Sequence, residues 1–503
     1  MELFSHLALG FAVAFTPDNL FYCFMGALLG TLIGVLPGLG PAATIAILLP
    51  LTYTLTPTGA LIMLAGIYYG SQYGGSTTAI LVNLPGESSS VVTALDGYQM
   101  ARQNRAGAAL LIAALGSFFA GCVATLLVAA VATPLSRLAL SFQAPDYFAL
   151  MVLGLIAAVV MAHGSVVKAI AMVMVGLVFG LIGIDVYSGL ARMTYGYSQL
   201  ADGVDFVPMA MGLFGIAEIL RNLEAPPENR DVVTRSGFKL WLTRDEARRS
   251  VAPVLRGTVL GSLLGILPGS GAALSSFSSY ALEKRVSRYP EKFGTGVIEG
   301  VAGPESANNA GAQTSFIPML TLGIPSNAVM ALMIGAMMIH GITPGPLVMQ
   351  SNADLFWGLI ASMWIGNAML VIINLPMIGL WVQMLRIPYR LLFPTILLIC
   401  SIGVYTLNNS TFDIYVFIGF SILGYIFYKL EFEPAPFLLG FVLGPLLEEN
   451  FRRAMLLARG DATVFFTRPL SLSFLLVAAA LVALALLPML RRKREEIFVA
   501  EDE

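Results

Sequence analysis

Leu470-Ser-Leu-Ser-Phe-Leu-Leu-Val-Ala-Ala-Ala-Leu-Val-Ala-Leu-Ala-Leu-Leu-Pro-Met-Leu490 runs for twenty-one residues without a charge, and Arg491-Arg-Lys-Arg494 follows at once. A helix needs roughly 20 apolar residues to cross a bilayer, and basic residues flanking a span favour the cytoplasm. The stretch therefore reads as a transmembrane helix with a cytoplasmic C-terminus. Further apolar runs that read as spans recur at Ala106–Thr133, Tyr147–His163, Val166–Ile184, Leu355–Trp381, Leu391–Val404 and Ile414–Tyr428. Phe437–Leu447 is another, short enough to be broken or tilted.

Composition agrees over the whole chain. Of 503 residues 57% are hydrophobic and only 12% charged, and mean hydropathy is +0.81. A soluble domain carries about 25% charged residues, so disordered chains, coiled coils, nucleic-acid binders and strings of soluble domains are excluded. The length predicts an all-α integral membrane protein of about 10–14 transmembrane or re-entrant helices. A net charge of −2 says nothing about partners. Cys23, Cys122 and Cys400 lie far apart in apolar runs and read as packing residues rather than a disulfide or metal framework. Met1 to Phe15 lacks a basic leader, so Leu3–Phe15 is expected as a short helix in or near the interface rather than a signal peptide.

The longest polar stretch, Arg221 to Ser250, holds seven basic and five acidic residues and should face the cytoplasm. It separates two related segments. Gly30-Thr-Leu-Ile-Gly-Val-Leu-Pro-Gly-Leu-Gly40 and Gly261-Ser-Leu-Leu-Gly-Ile-Leu-Pro-Gly-Ser-Gly271 are identical at seven of eleven positions. Asn83–Ser90 and Thr321–Ala328 give a weaker match in the same order. The expected organisation is a first membrane repeat over 1–220, a linker over 221–250, a second repeat core over 251–390, C-terminal helices over 391–490 and a charged tail over 491–503. Internal repeats of this kind, here read as inverted, are a transporter signature with substrate held between the halves. Arg452, Arg453, Arg459 and Arg468 conflict with the scheme by falling on the outer side, so the region 448–468 is left open between a flat segment and a miscounted span.

Proline lacks the N–H that continues a helix, and glycine adopts turned conformations. Pro37-Gly38 and Pro268-Gly269 should therefore end their helices inside the membrane, with restarts at Pro41 and Ala272. Ala42–Leu51 is too short to cross and reads as half of a re-entrant hairpin. Backbone exposed at that depth must lie within protein or beside water. For Gly30 and Gly34 the Gly-x-x-x-Gly spacing reads as close helix packing. A restarted helix offers unpaired N–H groups and partial positive charge, which bind carboxylates without lysine or arginine. Near the tips lie polar clusters at Ser71–Thr78, Asn83–Ser90, Glu305–Asn309 and Gly323–Asn327, suited to an oxygen-rich ligand and a dehydrated alkali cation. Glu299 and Glu305 are the cation-coupling candidates, because an intramembrane carboxylate is a functional residue by default; Glu305 could equally cap a helix. No nucleotide-binding glycine loop occurs, so transport against a gradient would need an ion gradient or another subunit.

Several blocks resemble the large membrane subunit of tripartite tricarboxylate transporters, the TctA family. They are Gly34-Val-Leu-Pro-Gly-Leu-Gly-Pro41, Tyr69-Gly-Ser-Gln-Tyr-Gly-Gly-Ser76, Asn83-Leu-Pro-Gly-Glu87, Gly296-Val-Ile-Glu-Gly-Val-Ala-Gly-Pro-Glu-Ser-Ala-Asn-Asn-Ala310, Leu322-Gly-Ile-Pro-Ser326 and Gly341-Ile-Thr-Pro-Gly-Pro346. The resemblance implies a secondary transporter of the bacterial inner membrane, no organic cofactor, and uptake of di- or tricarboxylates or related acids driven by a cation gradient, usually sodium. It implies two partners, a small membrane subunit and a periplasmic solute-binding protein. On this reading substrate carboxylates sit between the tips, on backbone N–H groups near Gly38, Gly40, Gly269 and Gly271. Ser76, Thr77, Asn83, Asn308, Asn309, Ser326 and Asn327 complete the shell. The alternatives are an intramembrane lipid-pyrophosphate phosphatase, which would need an arginine and a serine together at the tip, and a passive channel subunit.

Overall fold

The computed structural model describes residues 2–36, 39–162, 165–185, 187–224, 240–267, 271–385 and 389–486. Helices dominate, and the described residues hold one two-residue strand pair. The first half contains α1 (Glu2–Ala14), α2 (Pro17–Gly34), α3 (Pro41–Thr52), α4 (Pro57–Val82), α5 (Val91–Arg102), α6 (Ala106–Ala139), α7 (Ala144–Met161) and α8 (Val166–Gly180). A hairpin of β1 (Gly183–Ile184) and β2 (Ala191–Arg192) leads to α9 (Phe206–Glu224), which carries a π-helical turn over Met211–Ile216. Then come α10 (Arg244–Gly265), α11 (Gly271–Val286), α12 (Glu299–Thr314), α13 (Phe316–Leu322), α14 (Ala328–Ile339), α15 (Ala353–Asn374) and α16 (Ile378–Met384). The chain closes with α17 (Tyr389–Asn408), α18 (Thr411–Lys429), α19 (Pro434–Leu457) and α20 (Pro469–Leu486).

Local chemistry accounts for many of these boundaries. Pro17, Pro41, Pro57 and Pro434 occupy the first turns of their helices, where the missing N–H has no intrahelical partner to lose. Thr243 caps α10 in a reciprocal box with Glu246, so the C-terminal part of the 221–250 linker already forms the first turns of a helix. Residues 225–239 of that linker and the 491–503 tail lie outside the described residues.

Among the described residues, five helices are long and apolar enough to span a membrane: α6, α7, α9, α15 and α18. The pair Leu3–Ala14 and Pro17–Gly34 also qualifies together, bent by 79°. The other apolar helices are shorter, and α4 is polar in its middle and buried along almost its whole length. The interior is thus built from broken or polar helices shielded by full-length ones.

Three expected spans differ in detail, and the open 448–468 region resolves. Leu355–Trp381 is two helices, because Pro376 cannot continue α15. Phe437–Leu447 is neither broken nor short: α19 runs unbroken through Pro445 to Leu457. Its water-facing turns are held by Glu448–Arg452 and Glu449–Arg453 pairs four residues apart. The 448–468 region is therefore the end of this helix, a turn through Arg459 and Gly460 at positive φ, and a single helical turn at Val464–Thr467. Val166–Ile184 stops as a helix at Gly180, and Ile184 belongs to β1.

One packing geometry occurs twice. A Cβ placed on Gly26, Gly30 or Gly34 of α2 would fall within 3 Å of the carbonyl oxygens of Met63, Ile67 and Ser71 on α4. The same holds for Gly257, Gly261 and Gly265 of α10 against Gly303, Ala307 and Gly311 on α12. Both crossings require bare glycine faces, as the Gly-x-x-x-Gly spacing predicted.

Ion pairs fall in two layers at opposite ends of the helices. Arg468–Asp146, Arg192–Glu448 and Arg452–Asp185 form one. Lys168–Glu431, Lys429–Glu224, Arg105–Glu246, Arg249–Glu299 and Arg256–Glu283 form the other. In the first layer the Ser188 and Tyr187 amides and the two arginines hold the Asp185 carboxyl below its ordinary pKa.

Candidate functional site

The two long broken-helix units place their polar residues face to face in the interior. Helix α12 is buried from Gly300 to Thr314, although it carries Glu305, Ser306, Asn308, Asn309 and Gln313. Helix α4 is buried from Gly59 to Val82, including Ser71, Gln72, Ser76, Thr77 and Thr78. Such side chains are costly to bury unless they find partners. Among the described residues, no lysine or arginine is buried with them.

Glu305 lies in the middle of α12, so it is not a helix cap. Ser76 donates to its Oε2 at 2.8 Å and Thr93 donates to its Oε1. Asn309 donates to Ser117 at 2.6 Å and to the Glu305 carbonyl at 3.2 Å, and Ser117 in turn donates to that carbonyl. A cavity of about 20 Å³ opens beside this group, lined by Tyr73, Ser76, Thr77, Ser117, Glu305 and Asn374 among others. That is room for about one water. Thr77 reaches the cavity but spends its hydroxyl on the Tyr73 carbonyl.

A second group surrounds the tips. Helix α4 ends at Asn83 (φ 57°) and α13 at Gly323 (φ 73°), both left-handed. Each is followed by a proline turn, Leu84-Pro-Gly-Glu87 and Ile324-Pro-Ser-Asn327. The structure thus pairs Asn83 with Gly323, two residues away from the register expected from sequence. Glu87 starts the next helical turn in a box with Ser90, and Asn327 caps α14 by accepting from Met330 at 2.9 Å. A Cβ on Gly40 would meet the Gly86 carbonyl at 3.7 Å and Glu87 at 4.0 Å; one on Gly271 would meet Asn327 at 3.6 Å. Each break tip therefore rests on one proline turn. Asn308 donates to Glu87 at 3.3 Å, Asn327 donates to Ser315 at 3.3 Å, and Tyr68 lies between Glu87 and Asn327. Ser326 is fully buried, and its hydroxyl has no partner among the described residues.

The predicted residues thus divide. Ser76, Thr77, Asn309 and Glu305 share the cavity group, while Gly40, Gly271, Asn308, Ser326 and Asn327 belong to the tip group. Asn83 ends α4 with its side chain exposed. Glu299 stands apart at the start of α12, held by Arg249 at 2.7 and 2.8 Å in the charged layer. Gly38 and Gly269 lie outside the described residues. Sequence reasoning missed Glu87 although it quoted the block containing it, and missed Thr93 and Ser117, which no motif marks. Nor does any motif mark Asp96. Asp96 is fully buried, accepting from the Gly294, Gly296 and Val297 amides and the Tyr280 hydroxyl, and so ties α5 to the loop before α12.

Fold and site define an all-α membrane protein with a polar interior built on broken helices. The chain belongs to the tripartite tricarboxylate transporter TctA family, whose model matches residues 20–439. It is the large subunit of such a transporter, which works with other subunits. The chain is 61% identical over 502 residues, the full length of both, to an uncharacterized 52.8 kDa protein in the TAR-I ttuC' 3' region of Agrobacterium vitis. It is 62% identical over 242 residues to an uncharacterized protein in the TAR-II ttuC' 3' region of the same organism; this match covers 48% of the chain and all of the relative. No solved structure matches.

Proposed function

We propose that this chain is the permease of a cation-coupled importer of small di- or tricarboxylates or related organic acids in the bacterial inner membrane, with sodium as the coupling ion. It acts with a small membrane subunit and a periplasmic solute-binding protein. One observation carries the reading: two break tips, Gly40 on the Glu87 turn and Gly271 on the Asn327 turn, face a polar interior without buried lysine or arginine. The helices restarting at Pro41, Gly271 and Ala328 offer N-termini to carboxylates there. Ser326 and Asn327 supply side-chain groups beside the last of them. The absence of an arginine beside the described tip residues weighs against pyrophosphate chemistry.

Inverted repeats support alternating access. Thr52 and Tyr53, where the first hairpin returns, lie beside Val207 and Leu407, next to the Asn408–Asp205 hydrogen bond. The second hairpin begins and ends in the opposite layer, at Arg249–Glu299 and Arg256–Glu283. Two hairpins entering from opposite faces fit one core related by inversion. The basic linker and tail favour the cytoplasm for the layer of Arg105 and Lys429.

The test is uptake of labelled di- and tricarboxylates into proteoliposomes, with and without a sodium gradient and with and without both partners. Uptake that needs gradient and partners is expected. Gradient-independent equilibration would overturn coupling in favour of a passive channel.

A further inference from the structure

The two proline turns occupy matching places but carry different chemistry. The first presents a carboxylate, Glu87, where the second presents an amide, Asn327. Glu87 has no lysine or arginine within ion-pair distance among the described residues. Its one interhelical donor is Asn308, at 3.3 Å. Glu305, by contrast, already accepts two hydroxyl donors.

Polar oxygen atoms with unused lone pairs lie near Glu87. Asn308 is fully buried, and its Oδ1 has no partner among the described residues. The Ser89 hydroxyl, two residues from Glu87, is also buried and lies within hydrogen-bond reach of the Glu87 carboxylate, with lone pairs left for a further partner. Gln72, beside Tyr68, has an unpartnered Oε1 on the same side of α4. Acceptor oxygens in excess of donors are the ligand set of a hard cation. The turn itself carries a single carboxylate, which balances one positive charge, so a monovalent ion leaves the turn neutral and a divalent ion would not. Glu87 itself is only half-buried and Ser88 is exposed, which leaves a way in. A carboxylate ligand would meet like charge here, but not at the Asn327 turn.

We propose that the Glu87 turn is a site for a dehydrated, sodium-sized monovalent cation, held by the Glu87 carboxylate, Asn308 Oδ1 and the Ser89 hydroxyl. Calling that ion the coupling ion rests on the importer reading; the site itself does not.

The test is binding of radiolabelled sodium to the purified full chain in nanodiscs, competed by unlabelled sodium or potassium. Wild-type protein should bind sodium in preference to potassium. Glu87→Gln should abolish binding, Glu87→Asp should weaken it while leaving it measurable, and Asn308→Ala should weaken it at least tenfold. Should Glu87→Gln not purify as a monodisperse protein, Asn308→Ala decides alone. Unchanged sodium binding in Glu87→Gln, or in Asn308→Ala, overturns the site. Wild-type protein that imports a carboxylate but binds no sodium, as with a proton-driven carrier, overturns the site and leaves the importer standing. Sodium bound through Glu87 by a protein that moves no carboxylate with its partners supports the site and overturns the importer.

Discussion

A buried carboxylate must find donors, and Glu305 finds them on other helices: Ser76 on α4 and Thr93 on α5. Both lie more than two hundred residues away in sequence, so no local motif announces them. The choice of Glu305 from sequence needed only the rarity of acids in apolar surroundings. Glu299 satisfied the same criterion and turned out to pair with Arg249, because burial depends on where the helix starts relative to the charged layer. The tip glycines also part company at this scale. Gly271 holds φ +52°, whereas Gly40 sits at an ordinary −71° with space for a methyl group. A left-handed conformation costs a non-glycine residue about 1–2 kcal/mol. Gly271→Ala is therefore expected to lower the thermal unfolding midpoint in detergent. Gly40→Ala should stay within about 0.5 kcal/mol of the parent. Equal losses in the two variants would contradict the difference in backbone conformation.

Helix pairs were partly legible. The spacing of Gly26, Gly30 and Gly34, and of Gly257, Gly261 and Gly265, marks two faces made for close approach. Which helices would lie on them was not legible, since carbonyl oxygens of Met63 or Ile67 carry no sequence signal. The proline turns show the converse problem. Their short motifs match in two nearby registers, and only the left-handed residues Asn83 and Gly323 choose between them. A prediction belongs to these crossings. Gly30→Leu and Gly261→Leu each drive a side chain into the backbone of the facing helix, and overpacking of that kind costs about 1–3 kcal/mol or more. Gly419→Leu on α18, with nothing within 4 Å of its Cβ, is the matched control. Thermal unfolding in detergent should separate the first two from the third; comparable midpoints for all three would refute the packing argument.

For the molecule as a whole, the two charged layers make the topology testable. Tyr195, in the loop following β2, and Trp241, just before α10, are 84% and 75% exposed and lie toward opposite layers. In a background lacking Cys23, Cys122 and Cys400, a membrane-impermeant maleimide should label Tyr195→Cys in intact cells. Trp241→Cys should react only after permeabilisation. Labelling of both from one side would overturn the topology. The sequence by itself determined that this is a helical membrane protein, since hydropathy adds residue by residue and needs no contacts. It also located the breaks between α2 and α3 and between α10 and α11, because proline and glycine act on their own backbone, but not the break at Pro376. Family membership was likewise readable in its blocks. Only the tertiary structure decided which acids are left without a cation and which turn faces which tip. Those properties depend on Glu87 meeting Asn308 and Glu305 meeting Ser76, contacts that exist only once distant helices pack.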